Sequence, residues 1–362
     1  MWEIRGDRGC LADARSIRSG GLARKGPHVG PGSISIPSHT IMSGDWRTHP
    51  WTGVFPATLC PFLADESIDE EGLQAYIGEL ARVEGIRGVT CNGHTGEIMS
   101  LRPGERNRVT ALVREAVDAA NRETGCAVKV ISGVSAEGSL EAIDHARAAK
   151  ESGADAILLM PPHHWLRFGR SPATAVGFFE DVAEAAVDIV VHQYPAWTKA
   201  GYSLDEMSEF VKIPQVVMIK MGTRDMSRWL FDYEQLKEAA PRVSVVTCHD
   251  EYLLPSLLEA GDGALIGFAG FVPRLMIDLV HACLDGNLAG AKEAQRTVAP
   301  LARLIYNFGE PGCGAHQRMK VARWLMGQFP SPHFRRPVRP LAEESIERIR
   351  GQLRTINYEV VR

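Results

Sequence analysis

The stretch Ile213-Pro214-Gln215-Val216-Val217-Met218-Ile219-Lys220-Met221-Gly222-Thr223 decides how the chain is read. Between the turn signals Pro214 and Gly222 lies a short apolar run rich in β-branched residues, the pattern of a buried strand. Lys220 interrupts it. An ammonium on such a strand must be desolvated, and Lys is almost never fully buried without a partner or a task. Desolvation disfavours the charged form, lowers the pKa and turns a lysine into an amine nucleophile. The plainer alternative is a lysine at a strand end that reaches water or a carboxylate.

On both sides of this stretch the same beat recurs. Short apolar strands are expected at 53–59, 86–91, 127–132, 155–160, 187–193, 215–221, 243–248 and 263–268. Amphipathic helical patterns lie between them, as at Glu71–Ile77, Arg108–Val113, Leu140–Ser152 and Thr174–Ala186. Eight β-then-α units in ~220 residues match an α/β fold of the (β/α)8 TIM-barrel type, which typically takes about 250. A doubly wound open sheet is the alternative, but no Gly-rich dinucleotide fingerprint accompanies the first unit. Further helices are expected at Val272–Leu284, Leu288–Phe308, His316–Phe329 and Glu343–Thr355. The expected organisation is a disordered N-terminal extension over 1–41, a barrel over 50–285 and a C-terminal helical region over 286–362. The extension is rich in Gly, Ser, Pro and Arg without apolar periodicity, and translation starting at Met42 would remove it.

Composition narrows the function classes. With 362 residues, 45% hydrophobic and 23% charged, the chain reads as an ordinary soluble globular protein. A net charge of −4 gives no reason to expect nucleic acid or an anionic membrane as partner. No apolar stretch approaches the roughly 20 residues needed to cross a bilayer. Seven cysteines without CxxC spacing read as reduced thiols in a cytoplasmic protein. Cys60, Cys91, Cys126 and Cys248 lie in or beside strands and are expected as small core residues.

A barrel restricts its active site to the C-terminal ends of the strands and the loops that follow. That filter selects Thr58, His94-Thr95-Gly96-Glu97, His163-His164, His192 to Pro195, Lys220, His249-Asp250 and Gly267 to Gly270. Four strand ends carry histidine and a fifth carries Lys220, so a functional cluster is expected at one mouth.

These residues resemble a known family. From Gly53 to about residue 330 the chain is similar to the dihydrodipicolinate synthase/N-acetylneuraminate lyase family of Schiff-base aldolases and dehydratases. Thr58-Leu59-Cys60-Pro61-Phe62 resembles its first-strand motif. Gly93-His94-Thr95-Gly96-Glu97 resembles its Gly-(Thr/Ser)-Thr-Gly-Glu loop, and Ile219-Lys220 its Schiff-base lysine. The resemblance implies a barrel with C-terminal helices, assembled as a homotetramer or homodimer, and a metal-free reaction without cofactor. Its partners would be a small-molecule 2-oxo acid such as pyruvate and an aldehyde.

Within that resemblance, Lys220 would form the imine and the Gly93–Gly96 turn would hold the acid's carboxylate with backbone N–H groups and the Thr95 hydroxyl. Thr58, Leu265 and His249 would line the substrate pocket. The family's relay phenol and hydroxyls are replaced. His192 stands at the usual Tyr position, with Tyr194 two residues on, and His94 and His164 stand at the other two relay positions. Either His192 or Tyr194 would be the general acid/base. Trp197 replaces the Arg that binds the second substrate's carboxylate in dihydrodipicolinate-forming members, so a different second substrate is expected. Trp197 as an interface or lid residue is the alternative. Two other functions stay open: a metal-dependent barrel enzyme using the histidines and Asp250, and a non-catalytic keto-acid sensor.

Overall fold

Four- to six-residue apolar runs form eight strands: β1 Gly53–Pro56, β2 Gly88–Cys91, β3 Lys129–Val134, β4 Ala156–Leu159, β5 Asp188–Gln193, β6 Val216–Met221, β7 Ser244–Thr247 and β8 Gly263–Ile266. The structure is a computed structural model and describes residues 45–195, 198–306 and 314–362. The expected 1–41 extension and Trp197 lie outside the described residues.

Helices follow the strands: α1 Glu70–Ala81, α2 Pro103–Thr124, α3 Ser139–Glu151, α4 His164–Phe168, α5 Pro172–Ala183, α6 Leu204–Phe210 and α7 Met226–Ala239. They continue with α8 Leu253–Glu259, α9 Phe268–Phe271, α10 Pro273–Leu284, α11 Leu288–Tyr306, α12 Ala315–Leu325 and α13 Glu343–Thr355. Local chemistry sets their ends. In α2, Pro103 occupies the first turn, where its missing N–H costs nothing, and Gly125 takes the left-handed stop at φ 73°.

All neighbouring strands pair in parallel, in the order β1-β8-β7-β6-β5-β4-β3-β2. Parallel bridges Val54–Ile86 and Ala57–Thr90 join β1 to the β2 end. The Thr58 N–H donates to the Thr90 carbonyl at 2.9 Å across this seam. Closure makes the sheet a (β/α)8 TIM barrel, and the open doubly wound alternative is overturned.

Alternation along each strand sorts side chains between two cores. Phe55, Ile131, Leu158, Val190, Met218, Val246 and Leu265 fill the barrel interior above Trp51. Ile219 and Met221 turn outward to the helices. Lys220 and His192 each sit two residues beyond an inward residue, Met218 and Val190, so both face the interior at its C-terminal end. The last helices belong to the same fabric. Leu304, Ile305, Met319 and Leu325 share one cluster with Phe62, Leu73 and Tyr76. Cys60 and Cys91 are buried as expected, whereas Cys126 is exposed and Cys248 is half-buried. Cys126 follows Gly125 at the helix end, where no partner surface covers it.

Candidate active site

Lys220 and His192 are cross-strand partners in the β5–β6 register. Lys220 keeps some accessible surface, yet protein surrounds its amine closely enough that burial lowers its pKa below the ordinary 10.5. Cys248 and Asp250 oppose this and do not cancel it. His192 is buried, and its Nδ1 has no hydrogen-bond partner among the described residues. Desolvation, then the Lys220 charge, hold the imidazole well below 6.5, hence neutral.

His94 stands opposite, its ring centroid 5.6 Å from that of His192. It is open to the mouth, but the concave surroundings and Lys220 push its pKa down to about 4. The Tyr194 hydroxyl is hydrogen-bonded to His94 Nε2 at 3.0 Å, and its ring lies 4.8 Å from His192. Burial raises the Tyr194 pKa, so the phenol keeps its proton. Lys220, His192, Tyr194 and His94 thus meet at the strand ends, with two uncharged imidazoles and a protonated phenol beside the lysine that are able to pass a proton.

The fourth relay residue is different. His164 is the first residue of α4, and its Nδ1 lies 2.8 Å from Glu137 Oε2 on the exposed side. Of the two adjacent histidines, the one whose ring stands beside His94 is His163, at 6.3 Å. The His163 and His164 N–H groups both donate to the Glu137 carboxylate, at 3.1 and 3.0 Å. This clamp fixes the turn with His163 beside His94 and the His164 ring on Glu137, so the structure brings His163 rather than His164 up to the cluster.

Three further expected pocket residues are buried and held within the fold. The Thr58 hydroxyl is buried and donates to the Thr90 carbonyl at 3.1 Å, clasping the barrel seam. Leu265 is fully buried within the barrel interior and presents no surface to the mouth. His249 Nε2 is 2.6 Å from the Thr223 carbonyl and its Nδ1 accepts from Arg224 Nε at 3.4 Å. Both ring nitrogens are thus engaged within the protein, and His249 steadies Arg224.

The Gly93–Glu97 loop opens as expected but by another device. The left-handed residues are Asn92 (φ 52°) and Glu97 (φ 57°), which flank the glycines. A Cβ on Gly93 would meet nothing within 4 Å, so a ligand can approach the backbone there; one on Gly96 would press the Thr58 carbonyl at 3.1 Å. The Asn92 amide anchors the loop to the Arg106 carbonyl, Thr110 and Ser132 at 2.9 to 3.0 Å. Glu97 is buried against Lys320 of α12, whose Nζ donates to it and to the His333 carbonyl at 2.9 Å.

Beyond the loop, a 260 Å³ cavity is lined by His94, Thr95, Arg224, Tyr306, His316 and Met319 among others. Tyr306 donates to Asp250 Oδ2, and the Phe268 N–H donates to Oδ1 at 3.0 Å. Burial raises the Asp250 pKa to about 6 despite these bonds. Arg224 was visible four residues after Lys220 on the same strand-end loop. Tyr306, His316 and Lys320 were not, because helical periodicity does not say which end of a barrel a later helix covers. Among the described residues no three His, Cys, Asp or Glu side chains could together hold a metal ion, so the metal-dependent alternative finds no ligand set there. Among the described residues no helix is long and apolar enough to cross a membrane.

Comparison with known proteins agrees with this architecture. Residues 50–356 match the model of the dihydrodipicolinate synthetase family. A 4-hydroxy-tetrahydrodipicolinate synthase of Methanothrix thermoacetophila is 30% identical over 305 residues, covering 83% of this chain and 95% of the relative. The putative 2-dehydro-3-deoxy-D-gluconate aldolase YagE of Escherichia coli is 27% identical over 314 residues, 84% of this chain and 96% of its own length. Among solved structures, the dihydrodipicolinate synthase of Aquifex aeolicus superposes with a TM-score of 0.76 at 23% identity, covering 86% of this chain and all (100%) of that one. YagE in complex with pyruvate gives 0.76 at 24% identity, covering 85% and 99%. The chain belongs to the dihydrodipicolinate synthetase family, a family of lyases.

Proposed function

We propose that this lyase acts on pyruvate or a related 2-oxo acid through a Schiff base at Lys220, as an aldolase or dehydratase. The observation that carries the reading is Lys220 itself, desolvated on the inner face of β6 and paired in register with neutral His192 at the barrel mouth. A neutral amine attacks the keto carbon, and the carbinolamine loses water to give an imine. The imine draws electrons from the adjacent carbon, whose proton passes to His192 or Tyr194, leaving an enamine. The enamine attacks an aldehyde, or the reverse sequence cleaves a carbon–carbon bond. The Gly93–Gly96 backbone and Thr95 hold the carboxylate. The chemistry calls on no metal or organic cofactor.

A role outside lysine synthesis is part of the proposal. It rests on Trp197 in place of the carboxylate-binding Arg and on histidines at the relay positions. Assembly as a homodimer or homotetramer, in the cytoplasm, completes it. The test is pyruvate consumption against a panel of aldehydes, and pyruvate release from 2-oxo-3-deoxy sugar acids, in the presence of a chelator. Turnover that survives the chelator and vanishes in Lys220→Ala supports the reading. Turnover retained by Lys220→Ala sinks it.

A further inference from the structure

Two backbone N–H groups of the Gly93–Glu97 turn, those of His94 and Thr95, have no hydrogen-bond partner among the described residues. The next three are turned back into the loop. Gly96 and Ile98 donate to the Gly93 carbonyl at 3.1 and 3.2 Å, and Glu97 donates to the His94 carbonyl at 3.1 Å. The two left over, with the Thr95 hydroxyl, are the donors that an entering carboxylate needs. Where they point depends on how the turn is held at its two ends. The Asn92 amide and its three partners hold the first. At the second, Glu97 has φ 57° and ψ 37°, a left-handed backbone that a non-glycine residue keeps only when its surroundings impose it.

The C-terminal region imposes it through the Glu97 side chain. Lys320 of α12 is fully buried and donates to Glu97 Oε1, and the Arg335 N–H reaches Oε2 at 3.5 Å. Arg335 also donates to the Ser100 carbonyl at 3.1 Å and to Glu105 at 2.7 Å, which fixes the chain just after the turn. Phe62 and Phe334 flank the Lys320 ammonium, so neither member of the pair can exchange its partner for water. Stability alone does not ask for charges here. A buried ion pair seldom outdoes apolar residues of the same volume, and α12 already packs through Met319, Val321, Ala322 and Leu325. What the pair supplies is a fixed registry between α12 and a turn 223 residues away in the chain.

We propose that Lys320 is a positioning residue for the reaction: through its buried pair with Glu97 it aims the His94 and Thr95 N–H groups at the carboxylate of the 2-oxo acid. Helix α12, appended after the barrel, thereby sets the affinity for the acid and leaves the chemistry at the lysine alone. This role presupposes the imine at Lys220 and the carboxylate at the Gly93–Gly96 turn.

The experiment follows borohydride trapping on the full-length protein against the concentration of pyruvate, and of pyruvamide, which keeps the keto group but has no carboxylate. Lys320→Met, Glu97→Gln and the double variant should need about tenfold more pyruvate for half-maximal trapping, the scale of one hydrogen bond to a charged group. Their trapping rate at saturating pyruvate, and their half-saturation with pyruvamide, should move by less than about twofold, since a misaimed carboxylate site affects binding and not the amine. The double variant removes both charges and regains stability, so a role confined to the fold would return its half-saturation to the wild-type value, whereas the positioning role leaves it raised. Leu353→Ala, at a buried α13 position of the same cluster, weakens the fold with both anchors intact and should bind pyruvate as the wild type does. Wild-type half-saturation in the double variant, an equal rise with pyruvamide, or an equal rise in Leu353→Ala overturns the role of Lys320 while the wild-type adduct stands. A wild type that traps no pyruvate overturns the imine reading, and the role of Lys320 with it.

Discussion

At Lys220, stability and reactivity pull in opposite directions. Its folded pKa lies below the unfolded value, so between the two values the unfolded chain binds the extra proton and stability rises with pH. At neutral pH the buried amine is therefore a net cost to the fold. Lys220→Met should raise the melting temperature at pH 7 while abolishing turnover, and the gain should shrink as pH approaches the ordinary lysine pKa; calorimetry across pH reads both. The Tyr194–His94 hydrogen bond makes a second claim at this scale. Tyr194→Phe and His94→Gln should each lower kcat by about 10²–10⁴. Because the pair acts as one unit, the double variant should be scarcely worse than either single one. Multiplying losses in steady-state kinetics would show that the two act separately. The lysine, His192, Tyr194 and His94 were legible because strand alternation and the barrel rule fix where strand-end side chains point. His163 and His164 were not separable, since adjacent loop residues carry no such rule and the deciding contact is the remote Glu137 clamp.

Among the elements, α12 ties the C-terminal region to the site. Lys320 is fully buried, donates to Glu97, and sits 4.8 and 4.6 Å from the ring centroids of Phe62 and Phe334. Removing one member leaves the other charged and unpaired in the interior, which typically costs 3–5 kcal/mol by order of magnitude, about 4 kcal/mol for Lys320→Met. Glu97→Gln combined with Lys320→Met should recover a large part of that loss in denaturant unfolding. If the double variant is as unstable as the single one, the pair is not the source of the penalty. The helices themselves were legible from periodicity: α1, α2, α3, α5, α10, α11, α12 and α13 all fall on expected segments. Their partners were not. Glu97 reads as a loop residue of the motif, and nothing between it and Lys320, 223 residues later, announces a buried pair.

For the whole molecule, closure of eight parallel strands gathers residues from distant parts of the chain at one mouth. The repeated βα beat made that closure readable, and with it the location of the site. The composition of the mouth beyond the barrel loops was not readable, because Tyr306 and His316 arrive on helices appended after the eighth unit. The same closure leaves Lys220 as the lysine facing the interior beside His192, while Lys199, Lys212 and Lys237 donate to groups elsewhere in the fold. The most direct measurement is peptide mapping by tandem mass spectrometry after borohydride treatment with pyruvate. A single reduced pyruvyl adduct on the peptide containing Lys220, absent without pyruvate, is the expected result. An adduct confined to other lysines, or none from pyruvate or longer 2-oxo acids, would contradict the assignment of Lys220 as the Schiff-base nucleophile.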